Sequence, residues 1–302
     1  MNTPLIISSF KKEIWEFNKT LFWVPLIIAI MIVAAPVLKL MLLEGYQTDR
    51  LLEGLQHLQN IDHPQHLAKG VLGLITGLSI PFIMVALLIQ LYYFTTCLFD
   101  ERRDLSIYFW RSLPVSDALT IGIKLITGAL VIPAIFMLGA TLAIISYVII
   151  AFLACIVLSM GYDISLWHLW GSADLISNLA TAWLNILPYA LWMFPLYTWL
   201  MLASMFAKKA PFLWAVLPVI VILLVEAFVV EYFHLHRGFF SETLVNYFTF
   251  AADMLPHDIT SSESPKLTLA SALFAKIDLA GTLLGCALIY LTYWLRVNRS
   301  QP

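Results

Sequence analysis

Histidine, cysteine and a scatter of acids are the residue types in this chain that could do metal, nucleophilic or acid–base chemistry. The seven histidines are His57, His63, His66, His168, His234, His236 and His257. All fall in polar loops or at the ends of apolar stretches, and none carries the glutamate of an HExxH zinc motif. His63 and His66 bracket Pro64 in HPQH, and His234 and His236 are two apart, so neither pair shares a regular helix face. Cys97, Cys155 and Cys286 lie in separate apolar stretches and form no CxxC pair. They are expected as small buried hydrophobes, with no disulfide framework and no zinc site. The phosphate-cradling GxxxxGK[ST] loop and the GxSxG nucleophile elbow are both missing. The aspartates sit at the edges of apolar stretches or in loops, where an intramembrane aspartyl protease would need two within them. No catalytic residue, metal or cofactor is expected in this chain.

One acid stands out by its position. Glu226 lies in VILLVEAFVVEYF, well inside an apolar run, and an intramembrane carboxylate is a functional candidate by default. Two readings stand. Five residues before Glu231, it can serve the outer interface from about a turn below it, or it can line a substrate path. A proton-driven carrier would show more such groups, together with paired broken helices.

The elements that must position these residues follow from composition. Of 302 residues, 61% are hydrophobic and 12% charged, and the mean hydropathy is +0.87. Soluble domains run at roughly a quarter charged residues, so a water-soluble globule of this composition would expose too much apolar surface. An all-α, polytopic integral membrane protein is expected. Disorder and a secreted disulfide scaffold are excluded, and a net charge of −2 offers no basic field for nucleic acid. The first apolar run is too long for the core of a cleavable signal and lacks an A-x-A site, so it is expected to be retained.

The spacing of flanking charges predicts six spans, at about 21–43, 71–99, 119–158, 183–206, 211–232 and 278–296. The third is ambiguous: it lies in a gap of 38 uncharged residues between Lys124 and Asp163, about 57 Å as one helix. Positive charge on the inner side arbitrates. With one long third span, eleven of the 17 basic residues lie inside: Lys11, Lys12, Lys19, Arg102, Arg103, Arg111, Lys124, Lys208, Lys209, Arg296 and Arg299. Splitting that span leaves only seven inside. Six spans with both termini cytoplasmic are therefore expected, the third over-long and open to a kink at Pro133.

Outside the spans, residues 5–20 place Ile6, Phe10, Ile14, Phe17 and Leu21 at spacings of three and four, with Lys11, Lys12, Glu13 and Glu16 mostly elsewhere. This is an amphipathic helix suited to lie at the membrane interface. Residues 44–69 form a polar outer loop of helical pattern. Trp167, Trp170 and Trp183 mark a second outer segment at the membrane surface. The outer loop at about 233–277 is the longest. Two GxxxG motifs, Gly73–Gly77 and Gly281–Gly285, are of the kind that lets helices approach closely.

The most informative segment is LFDERRDLSIYFWRSLPVSD, residues 98–117. Five consecutive charges, Asp100, Glu101, Arg102, Arg103 and Asp104, leave the second span. An aromatic run too short to cross the membrane follows, with Tyr108, Phe109 and Trp110. Then come Arg111, Pro114, and Ser116 with Asp117 as helix caps for the third span. Aromatics rimmed by arginine are what binding hot spots favour. Aromatics anchored in lipid are the simpler alternative.

The DERRD and FWRSLPVSD strings resemble the permease subunits of ABC-2-type exporters, and the layout of interfacial helix, six spans and inner termini is similar. The resemblance implies a pair of six-span permease units, identical or homologous, carried on two copies of an ATPase that binds ATP and magnesium. It implies that residues 100–117 form the coupling element seated in the ATPase, in a bacterial inner membrane. The long last outer loop departs from that pattern. A membrane-embedded lipid or acyl transferase and a non-transporting scaffold are the alternatives. The first would need a polar catalytic cluster in or beside the spans.

Overall fold

The computed structural model describes residues 3–42, 45–59, 64–104, 115–167, 175–235, 238–249 and 272–299. Among them the regular structure is entirely helical. Five helices are long and apolar enough to cross a membrane, or six if one bent pair is a single span. These long apolar helices make the chain a polytopic integral membrane protein, helical throughout the regular structure of its described residues.

In chain order the helices are α1 (Thr3–Glu16), α2 (Asn18–Met41), α3 (Gly45–Gln59), α4 (Pro64–Thr96) and α5 (Phe99–Arg103), then α6 (Asp117–Ile126). A π-turn, Thr127–Val131, joins α6 to α7 (Ile132–Gly161). There follow α8 (Leu175–Leu184), α9 (Ile186–Trp192), α10 (Phe194–Phe206), α11 (Pro211–Tyr232), α12 (Phe240–Phe248) and α13 (Leu279–Arg299). Contacts group them into two compact units, Met1–Glu16 with Leu88–Ile132 and Leu184–Pro302, and Phe17–Leu87 with Pro133–Trp183.

The over-long third span begins in the first unit and ends in the second. α6, the π-turn and α7 make one continuous span of 45 residues, Asp117–Gly161, with no hairpin in it. The irregularity comes just before Pro133, as the π-turn. Proline has no N–H to give to the carbonyl four residues back, so the ladder must change there. The far end of α7 carries a small core of its own. Cys155, Ile164 and Leu166 are buried together, and Leu52 and Leu55 of α3 pack on them. The polar loop at 44–69 thus supplies a helix whose leucines serve that core. Within the same unit, Tyr147 donates to the Ile32 carbonyl at 3.0 Å and Trp183 donates to Thr141 Oγ1 at 3.1 Å. Trp183 is therefore held by α7. Trp170 lies outside the described residues.

The first unit holds most of the fourth apolar stretch, expected as a span at about 183–206, and there the helix is broken. The apolar stretch begins at Leu175, and Leu175–Trp192 meets Phe194–Phe206 at 56°. Pro188 and Pro195 each lack the N–H that would bond the carbonyl four residues earlier, and the breaks at Asn185 and Met193 fall within those turns. α13 packs along α10, with Gly285 against the ring of Phe194. A Cβ at Gly285 would stand 2.6 Å from Phe194 Cε1. The second GxxxG motif is thus filled from within the chain. Gly73 and Gly77 have nothing within 4 Å of where a Cβ would be.

α1 is amphipathic, but the face it turns inward is not purely apolar. Glu13 is 2% exposed while Ile7 and Trp15 are 61% and 66% exposed. Phe10, Glu13 and Phe17 are spaced three and four apart, so Glu13 lies on the same stripe as the apolar residues rather than opposite them. The outer face carries Ile7, Lys11 and Trp15, with the Lys11 ammonium 4.7 Å from the centre of the Trp15 ring.

Candidate functional site

The five charges that leave the second span divide into two sets. α4 ends at Thr96, and the break before α5 is capped from a distance. The backbone N–H groups of Leu98 and Phe99 donate to Ser204 Oγ at 3.1 and 2.9 Å. Arg102 donates through Nη2 to the carbonyls of Ser204 and Ala207, both at 2.8 Å. These carbonyls end α10, where a guanidinium satisfies groups the helix leaves open. Asp100, Arg103 and Asp104 face outward. Arg103 bridges Asp100 at 3.3 Å and Asp104 at 3.0 Å, and Arg103 and Asp104 are each 60% exposed.

Glu101 turns inward, into a buried ionic cluster assembled from four elements. Its Oε1 lies 3.2 Å from Lys124 Nζ and 3.5 Å from Lys12 Nζ. Its Oε2 accepts from Arg296 Nη1 at 3.1 Å. Lys124 also donates to Glu13 Oε1 at 2.8 Å, and Tyr93 donates to Glu13 Oε2 at 3.0 Å. Arg296 Nε completes the set by donating to Asp117 Oδ1 at 2.8 Å. Lys124 is 1% exposed, Arg296 2% and Glu101 4%. Three acids face three bases, so the cluster is neutral. That balance is what makes burial of so many charges tolerable, because an unpaired one would cost several kcal/mol.

Local sequence explains why these side chains arrive together. In α6, Ser116 is the N-cap and accepts from the Leu119 N–H at 3.2 Å, which starts the helix at Asp117. Asp117 and Lys124 are then seven residues apart and share one face, beside the buried Ile121. Arg296 lies in the last turn of α13, four residues after the fully buried Thr292.

Glu226 is also engaged. Its carboxylate accepts the backbone N–H groups of Phe240 and Ser241, the latter at 2.7 Å. An acid at the start of α12 offsets both the open amides and the helix dipole there. The other end of α12 is tied as well: Tyr247 donates to the Trp192 carbonyl, and Trp192 Nε1 donates to the Tyr247 carbonyl at 3.3 Å. Part of the long loop at 233–277 is therefore a helix fastened at both ends, one of them held by Glu226.

Comparisons with protein-family models, with curated proteins and with solved structures gave no match to this chain.

Of the expected coupling residues, Asp100 to Asp104 are thus placed. Tyr108, Phe109, Trp110 and Arg111 lie outside the described residues. Among the described residues no group of three His, Cys, Asp or Glu side chains could hold a metal ion. From the sequence, Glu13 belongs to the polar side of the interfacial helix, Lys124 and Arg296 are basic residues flanking spans, and Asp117 is a cap. For Lys124 and Arg296 the sequence signal is a charge standing among apolar neighbours in a helical run, as in TIGIKLITG and YWLRVN.

Proposed function

We propose that this chain is the permease subunit of an ATP-binding-cassette exporter, of the ABC-2 type, in the bacterial inner membrane with both termini cytoplasmic. It is not itself an enzyme. ATP and magnesium belong to a partner ATPase, present in two copies, and a second permease unit, identical or homologous, completes the complex. The single observation that supports this reading is the anchoring of α5. A docking element transmits force only if its root cannot swivel. Glu101 and Arg102 fix this root to α1, α6, α10 and α13 at once, while Asp100, Arg103 and Asp104 stay outward as a charged rim. Such a rim sets register more than affinity. ATP binding by the partner must favour one of two arrangements of the spans, and movement of residues 105–114 would reach every helix that touches the cluster.

The test is Phe109→Ala combined with Trp110→Ala. Each aromatic can bury about 150–250 Å² in a partner cleft, and hot-spot truncations cost about 2 kcal/mol or more each, roughly a 30-fold loss of affinity. The variant is expected to insert normally but to lose the ATPase in a pull-down and its stimulation in liposomes. Wild-type binding and stimulation would discard the coupling role and leave these aromatics as lipid anchors.

A further inference from the structure

We propose that Gln90 is a positioning residue that holds the third span in its π-turn, and that the turn is the switch through which α6 can rotate. The inference concerns the fold of the chain itself and does not depend on the transport reading. In an α-helix the Ile132 N–H would bond the Gly128 carbonyl, four residues back. Here it bonds the Thr127 carbonyl, five back. The Gly128 carbonyl is thereby freed, and Gln90 Nε2 takes it at 2.9 Å. Gln90 is 1% exposed, and its amide oxygen accepts from Tyr189 Oη–H at 3.0 Å.

Both partners of Gln90 sit at irregularities. Gly128 is in the π-turn, and Tyr189 is in α9, between the two breaks of the fourth span. The site is closely packed. The Phe94 ring covers Gly128 so tightly that any Cβ there would collide with it, and Phe94 stacks on Tyr197 of α10 with centroids 4.4 Å apart. One side chain on α4 therefore joins the bend of one span to the register of another.

A π-turn holds one residue more than the α-turn it replaces, and each residue is worth about 100° of rotation. If Gln90 withdraws, Ile132 N–H can return to the Gly128 carbonyl and the extra residue must be absorbed. The ten residues of α6 form the shorter arm, so α6 turns. Asp117 and Lys124 would leave Arg296, Glu101 and Glu13. The two arrangements are discrete, because the single Ile132 N–H bonds either the Thr127 or the Gly128 carbonyl. A physical coupling element of this kind needs two states and a group that biases them.

The experiment uses the purified full-length chain in lipid nanodiscs. Lys124 is probed with an amine-acylating reagent, and the buried thiols Cys97 and Cys155 with a maleimide, each read by mass spectrometry. Gln90→Leu removes both bonds of the amide. Tyr189→Phe removes one and keeps the ring. Acylation of Lys124 is expected to rise at least tenfold in Gln90→Leu and by a smaller factor in Tyr189→Phe, with both thiols still protected. If Lys124 stays protected in both variants, Gln90 does not hold the register. If Lys124 and the thiols become reactive together, Gln90 serves general packing only, and the switch is likewise overturned.

Discussion

Lys124 binds two carboxylates from two different helices, Glu13 at 2.8 Å and Glu101 at 3.2 Å. Removing its ammonium leaves both facing the remaining bases unevenly, in a place water does not reach. Breaking a buried ion pair by deleting one partner costs about 3–5 kcal/mol. Lys124→Met, which preserves the apolar stem, is therefore expected to lower the unfolding free energy by about that amount, measured by denaturant titration in detergent. Arg103→Ala removes an exposed charge and is expected to leave the midpoint where it was. The contrast between these residues was only half legible in the sequence. DERRD could be recognised as a charged exit from a span, but the string does not say that Glu101 and Arg102 turn in while Asp100 and Arg103 turn out. That depends on partners 23 to 195 positions away along the chain. Glu13 was misassigned for a related reason. An acid on an apolar stripe looks like an imperfection of the stripe until its lysine and tyrosine are in place.

Helices as units were far more legible than their interruptions. Long apolar runs bounded by charge give the spans, because the hydrocarbon thickness fixes how many residues each must have. The distribution of lysine and arginine favours a single third span despite its unusual length, and the structure has one continuous helical run there, Asp117–Gly161. The π-turn and the 56° bend were not foreseen as such, although Pro133, Pro188 and Pro195 marked where hydrogen bonds must fail. What a proline does not say is which side chain fills the gap, here Gln90 in one case and Tyr247 of α12 in the other. The two GxxxG motifs look alike in sequence and differ in the fold. Gly285→Val should drive a branched side chain into the Phe194 ring and cost about 1–3 kcal/mol by overpacking. Gly77→Val points into open space and should leave the isolated chain as stable as wild type. Thermal unfolding of the two variants in detergent checks the difference.

At the scale of the whole molecule, orientation is the feature on which the transport reading rests. The carbonyl of Ala207, one residue before Lys208, accepts from Arg102, so the turn between α10 and α11 and the exit from the second span share one face of the first unit. On the proposed orientation that face is cytoplasmic. A single cysteine replacing Lys208, in a chain whose other cysteines are serine, should react with an impermeant maleimide only in inverted vesicles. Reaction in intact cells would reverse the orientation and remove the ATPase from contact with α5. The ionic cluster has a further consequence, for how the chain is made. Glu13 is synthesised well before Arg296, with Glu101, Asp117 and Lys124 between them. Until α13 is made, the growing chain carries Glu101 and Asp117 without Arg296, and the charges of the cluster do not balance. Assembly of the cluster therefore waits on the synthesis of α13, and a chain cut short before Arg296 would be left with an uncompensated buried acid.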